Sequence, residues 1–159
     1  MERSLILVKP DGVQRGLTSE VLGRFERRGL KIVGLKVLKP DMALAEEHYA
    51  EHKDKPFYND LIGHITSGPV VAAVIQGPDP QDSDDPASGG IGMIRQTVGD
   101  TRPWQASPGS IRADLAMAVD RNVVHASANL EDAQREVALW FKPEELVDYS
   151  LDTDPWVLG

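Results

Sequence analysis

Residues 70–75 read VVAAVI, six apolar residues with no polar residue among them. A helix or strand with one face in water interrupts its apolar residues at a period of 3.6 or 2. An unbroken apolar run of this length therefore indicates a strand that is buried on both faces. The run predicts that the fold is organised around a sheet with at least one strand removed from water.

On either side of this strand, the chain alternates between strand and helix patterns. Strand patterns occupy residues 4–8, 30–38 and 115–124, and the KPDG stretch that follows the first of them has the composition of a turn. Apolar periodicity predicts helices over residues 18–28, 41–49, 56–66, 91–98 and 130–141, with Asp41 and Asn129 as the N-caps of the second and the last. The alternation predicts one α/β or α+β domain spanning residues 1–159, with a four-stranded sheet and helices on one face.

Composition excludes several classes of protein. The chain has no cysteine, so disulfides, thiolate metal sites and thiol nucleophiles are impossible. No apolar run approaches the length of a membrane span, and the N-terminus lacks the layout of a signal peptide, so we expect a cytoplasmic protein with no membrane partner. A net charge of -8 argues against a dedicated nucleic-acid surface.

Two glycine-rich segments differ in what they predict. Residues 77–90 (GPDPQDSDDPASGG) are rich in proline, glycine, serine and aspartate, and they predict an exposed loop with little fixed structure. The GGIGMIR stretch that follows lacks the third glycine of a dinucleotide-binding turn, and no Walker-type loop occurs anywhere in the chain. A nucleotide would therefore have to bind without either common phosphate loop.

The stretch NVVHAS places His125 where an apolar run stops. A histidine in this position is more often a structural residue that donates to a backbone carbonyl. The helix that follows carries Glu136 on the same face as Ala133 and Trp140, so its carboxylate needs a donor such as His125 or Ser127, unless it reaches water at the flank. A histidine oriented by a carboxylate is a recurrent arrangement for a nucleophile or base.

Basic and hydroxyl residues form a second group. Lys9 ends the first strand, Arg95 lies on a short helix, and Thr101 precedes Arg112. Each cation alone is more often a solvated surface group, but arginines and a threonine hydroxyl are what phosphate oxygens bind. Together they predict an oxyanion site, although spacing leaves open whether they converge.

Three ring-bearing residues cross the connection between two predicted helices. They are Tyr49, His52 and Phe57. Aromatic residues at such a corner usually belong to the core, but a corner that also carries histidine and lysine could hold a flat base and its phosphates.

Motifs along nearly the whole chain resemble those of nucleoside diphosphate kinases. In order, they are KPDGVQRG from residue 9, HY from 48, KPF from 55, SGPV from 67, PGSIRAD from 108, NVVH from 122 and EELVDY from 144. The resemblance implies an α+β fold with a ferredoxin-like βαββαβ core, in which helices pack on a four-stranded antiparallel sheet. It also implies ping-pong transfer of a γ-phosphate from a nucleoside triphosphate to a nucleoside diphosphate through a phosphohistidine.

The same resemblance implies a role for each candidate residue. His125 matches the phosphorylated histidine, and Ser127 and Glu136 match the hydroxyl and carboxylate that support it. Lys9 and Asn122 match contacts to the ribose 3′-hydroxyl region, with Lys9 also close to the transferring phosphate. The other matches are the phosphate-pocket residues Tyr49, His52, Arg95, Thr101 and Arg112, and the base-sandwiching residues Phe57 and Val119.

The resemblance further implies a homo-oligomer, either a hexamer or a tetramer built from a common dimer. We expect Mg²⁺ to be carried by the nucleotide phosphates, because the chain has no cluster of carboxylates suited to caging it. We therefore assign no protein metal ligand.

Departures from the family pattern keep an alternative function open. Ala126 stands where the family usually has glycine, which costs about 1 kcal/mol if φ is positive there and nothing if φ is negative. Ala128 replaces a usual aspartate near a helix start, and residues 78–88 form a segment longer than the family pattern. The alternative is a nucleotide-binding regulatory module with weak or no phosphotransfer.

Overall fold

A computed structural model describes residues 1–159 and contains one four-stranded sheet. The strands are β1 (Glu2–Val8), β2 (Lys31–Leu38), β3 (Val70–Gly77) and β4 (Val124–Ala126). Their order is β2-β3-β1-β4, and every neighbouring pair is antiparallel. This order places the first predicted strand, β1, and the VVAAVI strand, β3, at the centre. The predicted α+β fold with a four-stranded antiparallel sheet is confirmed.

Eight α-helices connect and cover the strands. They are α1 (Pro10–Gln14), α2 (Thr18–Arg27), α3 (Met42–His48), α4 (Tyr58–Ile65), α5 (Gly90–Val98), α6 (Ile111–Leu115), α7 (Leu130–Trp140) and α8 (Asp154–Val157). Two predicted caps are present, because Asp41 accepts a hydrogen bond from Leu44 N at 2.8 Å and Asn129 accepts one from Asp132 N at 2.9 Å. No helix combines the length and apolar character that crossing a membrane requires.

Helices pack on both faces of the sheet. Alternate side chains of β1 and β3 enter two separate apolar clusters. One cluster includes Phe25 of α2 and Ile94 of α5, and the other includes Ile65 of α4 and Trp140 of α7. The expectation of helices on one face is therefore wrong. Every residue of β3 is buried, and its apolar run VVAAVI requires cover on each side.

The last strand is much shorter than predicted. Residues 115–124 were expected to be extended, but β4 contains only Val124–Ala126. Ser110 caps α6 just before that region, and an isolated bridge joins Ala118 to Arg121. Val123 has a φ of 74°, which prevents an extended strand from starting earlier.

The KPDG stretch, which was predicted to be a turn, forms a short helix instead. This helix is α1, with Pro10 at its first position.

The loop after β3 has more fixed structure than its composition predicts. Ser88 Oγ donates to Asp85 O at 2.7 Å, and Asp82 N donates to Ser88 Oγ at 3.0 Å. Asp85 also accepts from Ala87 N at 2.9 Å, at the start of a 3-10 turn. Short polar side chains satisfy the backbone here, so the prediction of exposure was right and the prediction of little structure was wrong.

The chain after residue 146 runs along β2. Val147 N donates to Val33 O at 2.8 Å, and Tyr149 Oη donates to Ile32 O at 2.6 Å. Lys31 forms an ion pair with Asp154 of α8 at 2.7 Å. These contacts cover part of an edge strand whose backbone groups would otherwise lack partners.

Core packing gives a direct test of this architecture. Phe25 is fully buried beneath α2, so we expect Phe25→Ala to lower the free energy of unfolding by about 3–5 kcal/mol. Met117 is 94% exposed, and Met117→Ala should change it by no more than about 0.5 kcal/mol. Urea unfolding of both variants measures the difference, and similar losses would contradict the packing described here.

Candidate active site

His125 lies at the centre of the candidate site, on β4 opposite Leu7 of β1. Its Nε2 is 2.9 Å from Oε2 of Glu136 on α7, and Ser127 Oγ donates to the same carboxylate oxygen at 2.7 Å. Because a carboxylate accepts hydrogen bonds, the proton of the neutral imidazole lies on Nε2. The predicted group of three residues is therefore brought together, and Nδ1 of His125 keeps its lone pair.

The Glu136 carboxylate is ionised although it is buried. Burial pushes its pKa upward, but the hydrogen bonds from His125 and Ser127 and the nearby imidazole outweigh burial and lower the pKa to about 2. Ser127 Oγ is itself fixed, because it accepts from Leu5 N at 3.2 Å. The carboxylate therefore sets both the tautomer and the orientation of the histidine ring.

Two arginines bind the backbone on either side of His125. β4 pairs only with β1, so carbonyl groups on its other edge need donors. Arg95 Nη1 donates to Ala126 O at 3.2 Å, and Arg112 Nη2 donates to Val124 O at 2.7 Å. Burial lowers the pKa of Arg112 to about 10, which leaves it charged at neutral pH. The edge of the strand thus fixes two positive charges beside the histidine.

Lys9, Asn122 and Thr101 form a second connected group. Lys9 Nζ donates to Asn122 Oδ1, and Asn122 Nδ2 donates to Thr101 O at 2.9 Å. Lys9 and Asn122 are buried, while Thr101 is exposed. Burial lowers the pKa of Lys9 to about 8. Three residues that the sequence placed far apart are therefore linked by hydrogen bonds.

The predicted aromatic residues form a row of rings that reaches His125. Ring centroids are 5.7 Å apart for Phe57 and His52, 6.3 Å for His52 and Tyr49, and 4.6 Å for Tyr49 and His48. His48 lies 4.8 Å from His125, with the rings nearly perpendicular. Phe57, at the far end, is 45% exposed.

Val119 is the one predicted site residue that forms no hydrogen bond or ring contact with any of the other residues described above. It is 41% exposed and lies in the turn between Ala118 and Arg121.

His48, His125 and Glu136 place potential metal-binding atoms within 4.8 Å of one another. Trp140 Nε1 donates to His48 Nδ1 at 3.1 Å, and burial lowers the pKa of His48 to about 3. A neutral His48 that accepts at Nδ1 carries its proton on Nε2, so neither nitrogen offers a free lone pair. The donor chemistry of this cluster therefore does not suit a metal ion.

Sequence reasoning missed the residues that shape the turn before β4. Val123 has a positive φ of 74°, and its N–H donates to Asp11 Oδ2 at 2.9 Å. The other oxygen of Asp11 is 2.9 Å from His64 Nε2. The available signal for Asp11 was its position within the KPDG motif. Sequence reasoning also missed His48, and the available signal there was its position beside the predicted Tyr49. No sequence pattern indicates a positive φ at a valine.

Neither alanine that departs from the family pattern disturbs the backbone. Ala126 does not have a positive φ, so no strain arises where the family usually has glycine. Ala128 is exposed, and Asn129 caps α7 while Glu131 and Asp132 occupy its first turn. The negative charge favoured at that helix start is therefore still supplied.

Comparison with known proteins identifies the family. The family model for nucleoside diphosphate kinase matches residues 2–146. The chain belongs to the nucleoside diphosphate kinase family. A nucleoside diphosphate kinase from Thermomicrobium roseum is 52% identical over 159 residues, which is 100% of each chain. Another from Thermus thermophilus is 52% identical over 147 residues, covering 92% of this chain and 100% of the relative.

Solved structures agree with this assignment. A nucleoside diphosphate kinase family protein from Babesia bovis superposes with a TM-score of 0.89 at 45% identity, and the match covers 99% of each chain. A halophilic nucleoside diphosphate kinase from Halobacterium salinarum, in complex with CDP, superposes with a TM-score of 0.86 at 43% identity, covering 98% of this chain and 97% of that one. The chain is thus a phosphotransferase by family, and the purely regulatory alternative is not favoured.

The ionised Glu136 gives the site a pH signature. Its pKa is about 2 in the folded protein, below the ordinary 4.5, so the carboxylate stabilises the fold above pH 4.5 and this contribution is lost as the pH falls toward 2. We expect Glu136→Gln to be less stable by about 2 kcal/mol near neutral pH and to lose less stability on acidification. Urea unfolding at a series of pH values measures both effects, and parallel curves would contradict them.

Proposed function

We propose that this nucleoside diphosphate kinase carries phosphate on His125 between two half-reactions. Nδ1 of His125 attacks the γ-phosphorus of a nucleoside triphosphate, and the bond from phosphorus to the bridging oxygen breaks, so that the diphosphate leaves with that electron pair. A terminal oxygen of a second nucleoside diphosphate then attacks the same phosphorus, and the phosphorus–nitrogen bond breaks. The hydrogen bond from His125 Nε2 to Glu136 carries this proposal, because it leaves Nδ1 as the nucleophile.

Positive charges stabilise the phosphoryl group during transfer. This group bears negative charge spread over its equatorial oxygens, and catalysis consists largely of positioning and electrostatic stabilisation. We assign that role to Arg95, Arg112 and Lys9. His52 lies between Tyr49 and Phe57 in the row of rings, and we assign it to the phosphate pocket as well. We assign Tyr49 and Thr101 to the same phosphate pocket.

The base and the ribose take the outer part of the site. Phe57 and Val119 are exposed and sandwich the base, while Lys9 and Asn122 contact the 3′-hydroxyl region of the ribose. Stacking needs only the flat face that every base has, so purines and pyrimidines are both accepted. The CDP complex of the Halobacterium salinarum relative supports a nucleotide as the ligand class.

Magnesium enters with the substrate in this proposal. Mg²⁺ keeps most of its water and binds through nucleotide phosphates in many phosphotransferases, where it neutralises part of their charge. Arg95, Arg112 and Lys9 surround those phosphates in this proposal but cannot coordinate a cation, and the carboxylate of Glu136 is already engaged by His125 and Ser127. No protein residue is assigned as a metal ligand.

We further propose one catalytic domain over residues 1–159, a cytoplasmic location, and a dimer-based homo-oligomer, either a tetramer or a hexamer. The edge strand β2 supports self-association, because Leu35 and Val37 on it are 53% and 69% exposed. An edge strand with exposed apolar side chains gains stability when a second chain covers it.

The phosphohistidine is tested by labelling. After incubation with γ-labelled ATP and magnesium, we expect acid-labile phosphate on the wild type and none on His125→Ala, because the imidazole is the acceptor. A second nucleoside diphosphate should then remove the label. A His125→Ala protein that binds nucleotide and labels as well as the wild type would refute the proposal, and wild-type binding without turnover would indicate the regulatory module.

The role of Lys9 is tested by the pH dependence of kcat/KM. Its pKa is about 8, so the ammonium that binds phosphate is present below that pH and is lost above it. We expect kcat/KM to fall above about pH 8, since this parameter reports titrations of the free enzyme. Lys9→Arg keeps its charge over the same range and should lack this fall, even if its rate is lower. If Lys9→Arg shows the same fall in kcat/KM, the group that titrates is not Lys9.

A further inference from the structure

We infer that Asp11 and His64 form a positioning pair that holds the turn before His125 in its reactive geometry. The inference rests on the proposed function, since the geometry of this turn affects the rate only if His125 accepts the phosphate. Neither residue belongs to the predicted site. Asp11 lies on α1 and His64 on the last turn of α4, 53 residues apart in the sequence.

The turn adopts a conformation that its sequence disfavours. Val123 has a φ of 74°, in the left-handed region where β-branched residues are genuine outliers. It is the only residue other than glycine with a positive φ in the chain. Such a conformation persists only when surrounding contacts over-determine it, and residues of this kind concentrate at functional sites.

The contacts that hold Val123 come from the segment after β1. Its N–H donates to Asp11 Oδ2 at 2.9 Å, and its carbonyl accepts from Lys9 N at 2.9 Å. Its side chain is fully buried in the apolar cluster beneath the sheet. Both backbone polar groups of the strained residue therefore depend on residues 9–11, and Asp11 supplies the only side-chain hydrogen bond to this backbone.

Asp11 depends in turn on His64. The side chains are 8% and 10% exposed, and His64 Nε2 lies 2.9 Å from Asp11 Oδ1. Burial pushes the pKa of Asp11 upward, but the hydrogen bond from His64, the charge of Lys9 and the amide of Val123 bring it below its ordinary value. Without His64, one oxygen of a buried carboxylate loses its donor, and the group either takes up a proton or turns toward another donor.

The turn joins Asn122, a proposed ribose contact, to His125, the proposed phosphate acceptor. Asn122, immediately before Val123, joins Lys9 to Thr101. His125 follows on a strand of only three residues, so a rotation at Val123 shifts the imidazole relative to Glu136. Transfer rates are sensitive to such shifts, since a displacement of about 1 Å can cost about a hundredfold.

The test measures single-turnover phosphorylation of His125 by ATP and magnesium in the full-length protein. His64→Phe keeps a ring but removes the donor, and we expect the rate constant at saturating ATP to fall about tenfold while the apparent KM changes less than about twofold. His64→Gln keeps an N–H donor and should recover the rate to within about threefold of the wild type. If His64→Phe does not fold, His64→Leu replaces it.

A double variant separates positioning from general stability. If His64 acts through Asp11, adding His64→Phe to Asp11→Ala should change the rate by less than about twofold, because the two effects are not additive. Asp154→Ala is the matched control, since it removes a carboxylate that also accepts a backbone N–H, from Leu151, and pairs with a basic side chain, Lys31, on a helix that carries no proposed site residue. It should lower the thermal midpoint and leave the rate unchanged.

Several outcomes would overturn the inference. These are an unchanged rate in His64→Phe, no recovery in His64→Gln, or full additivity with Asp11→Ala. A wild-type protein that forms no phosphohistidine would instead refute the proposed function, so the two failures are distinguishable.

Discussion

The site depends on one buried charge, the carboxylate of Glu136. An ionised carboxylate that is 4% exposed is stable only if donors reach it, and here they come from the chain around β4, as His125 Nε2–H and Ser127 Oγ–H. α7 therefore does more than cover the sheet through Trp140. It fixes the tautomer of the histidine, so a requirement for stability and a requirement of the proposed chemistry are met by the same two hydrogen bonds.

At the short strand β4, hydrogen bonds again serve both stability and the proposed chemistry. An edge strand leaves carbonyl groups without partners, and here Arg95 and Arg112 bind them at Ala126 and Val124. The strand gains its missing donors, and the arginines lose the freedom of long surface side chains. In the proposed reaction, a phosphoryl group arriving at His125 would meet positive charge that is already in place, which is the form of electrostatic stabilisation that costs least reorganisation.

Sequence reasoning predicted what depends on local periodicity and capping. The buried strand VVAAVI, the caps at Asp41 and Asn129, and the position of Glu136 on the buried face of α7 all follow from neighbours a few residues away. Features that depend on distant contacts were not accessible in this way. The length of β4 is limited by the strained Val123, whose support comes from Asp11, and the arginine–carbonyl bonds require the tertiary arrangement. Cover on both sides of the sheet was implied by VVAAVI itself, and the prediction of helices on one face overlooked it.

The central claim is that Glu136 leaves Nδ1 of His125 as the nucleophile. It is tested most directly by identifying the nitrogen that carries phosphate, using nuclear magnetic resonance of the phosphorylated protein labelled with ¹⁵N at histidine and kept at alkaline pH. The arrangement described here predicts phosphate on Nδ1, with Nε2 still protonated and bonded to Glu136. Phosphate on Nε2 would contradict it, because that nitrogen would have to leave the carboxylate to react.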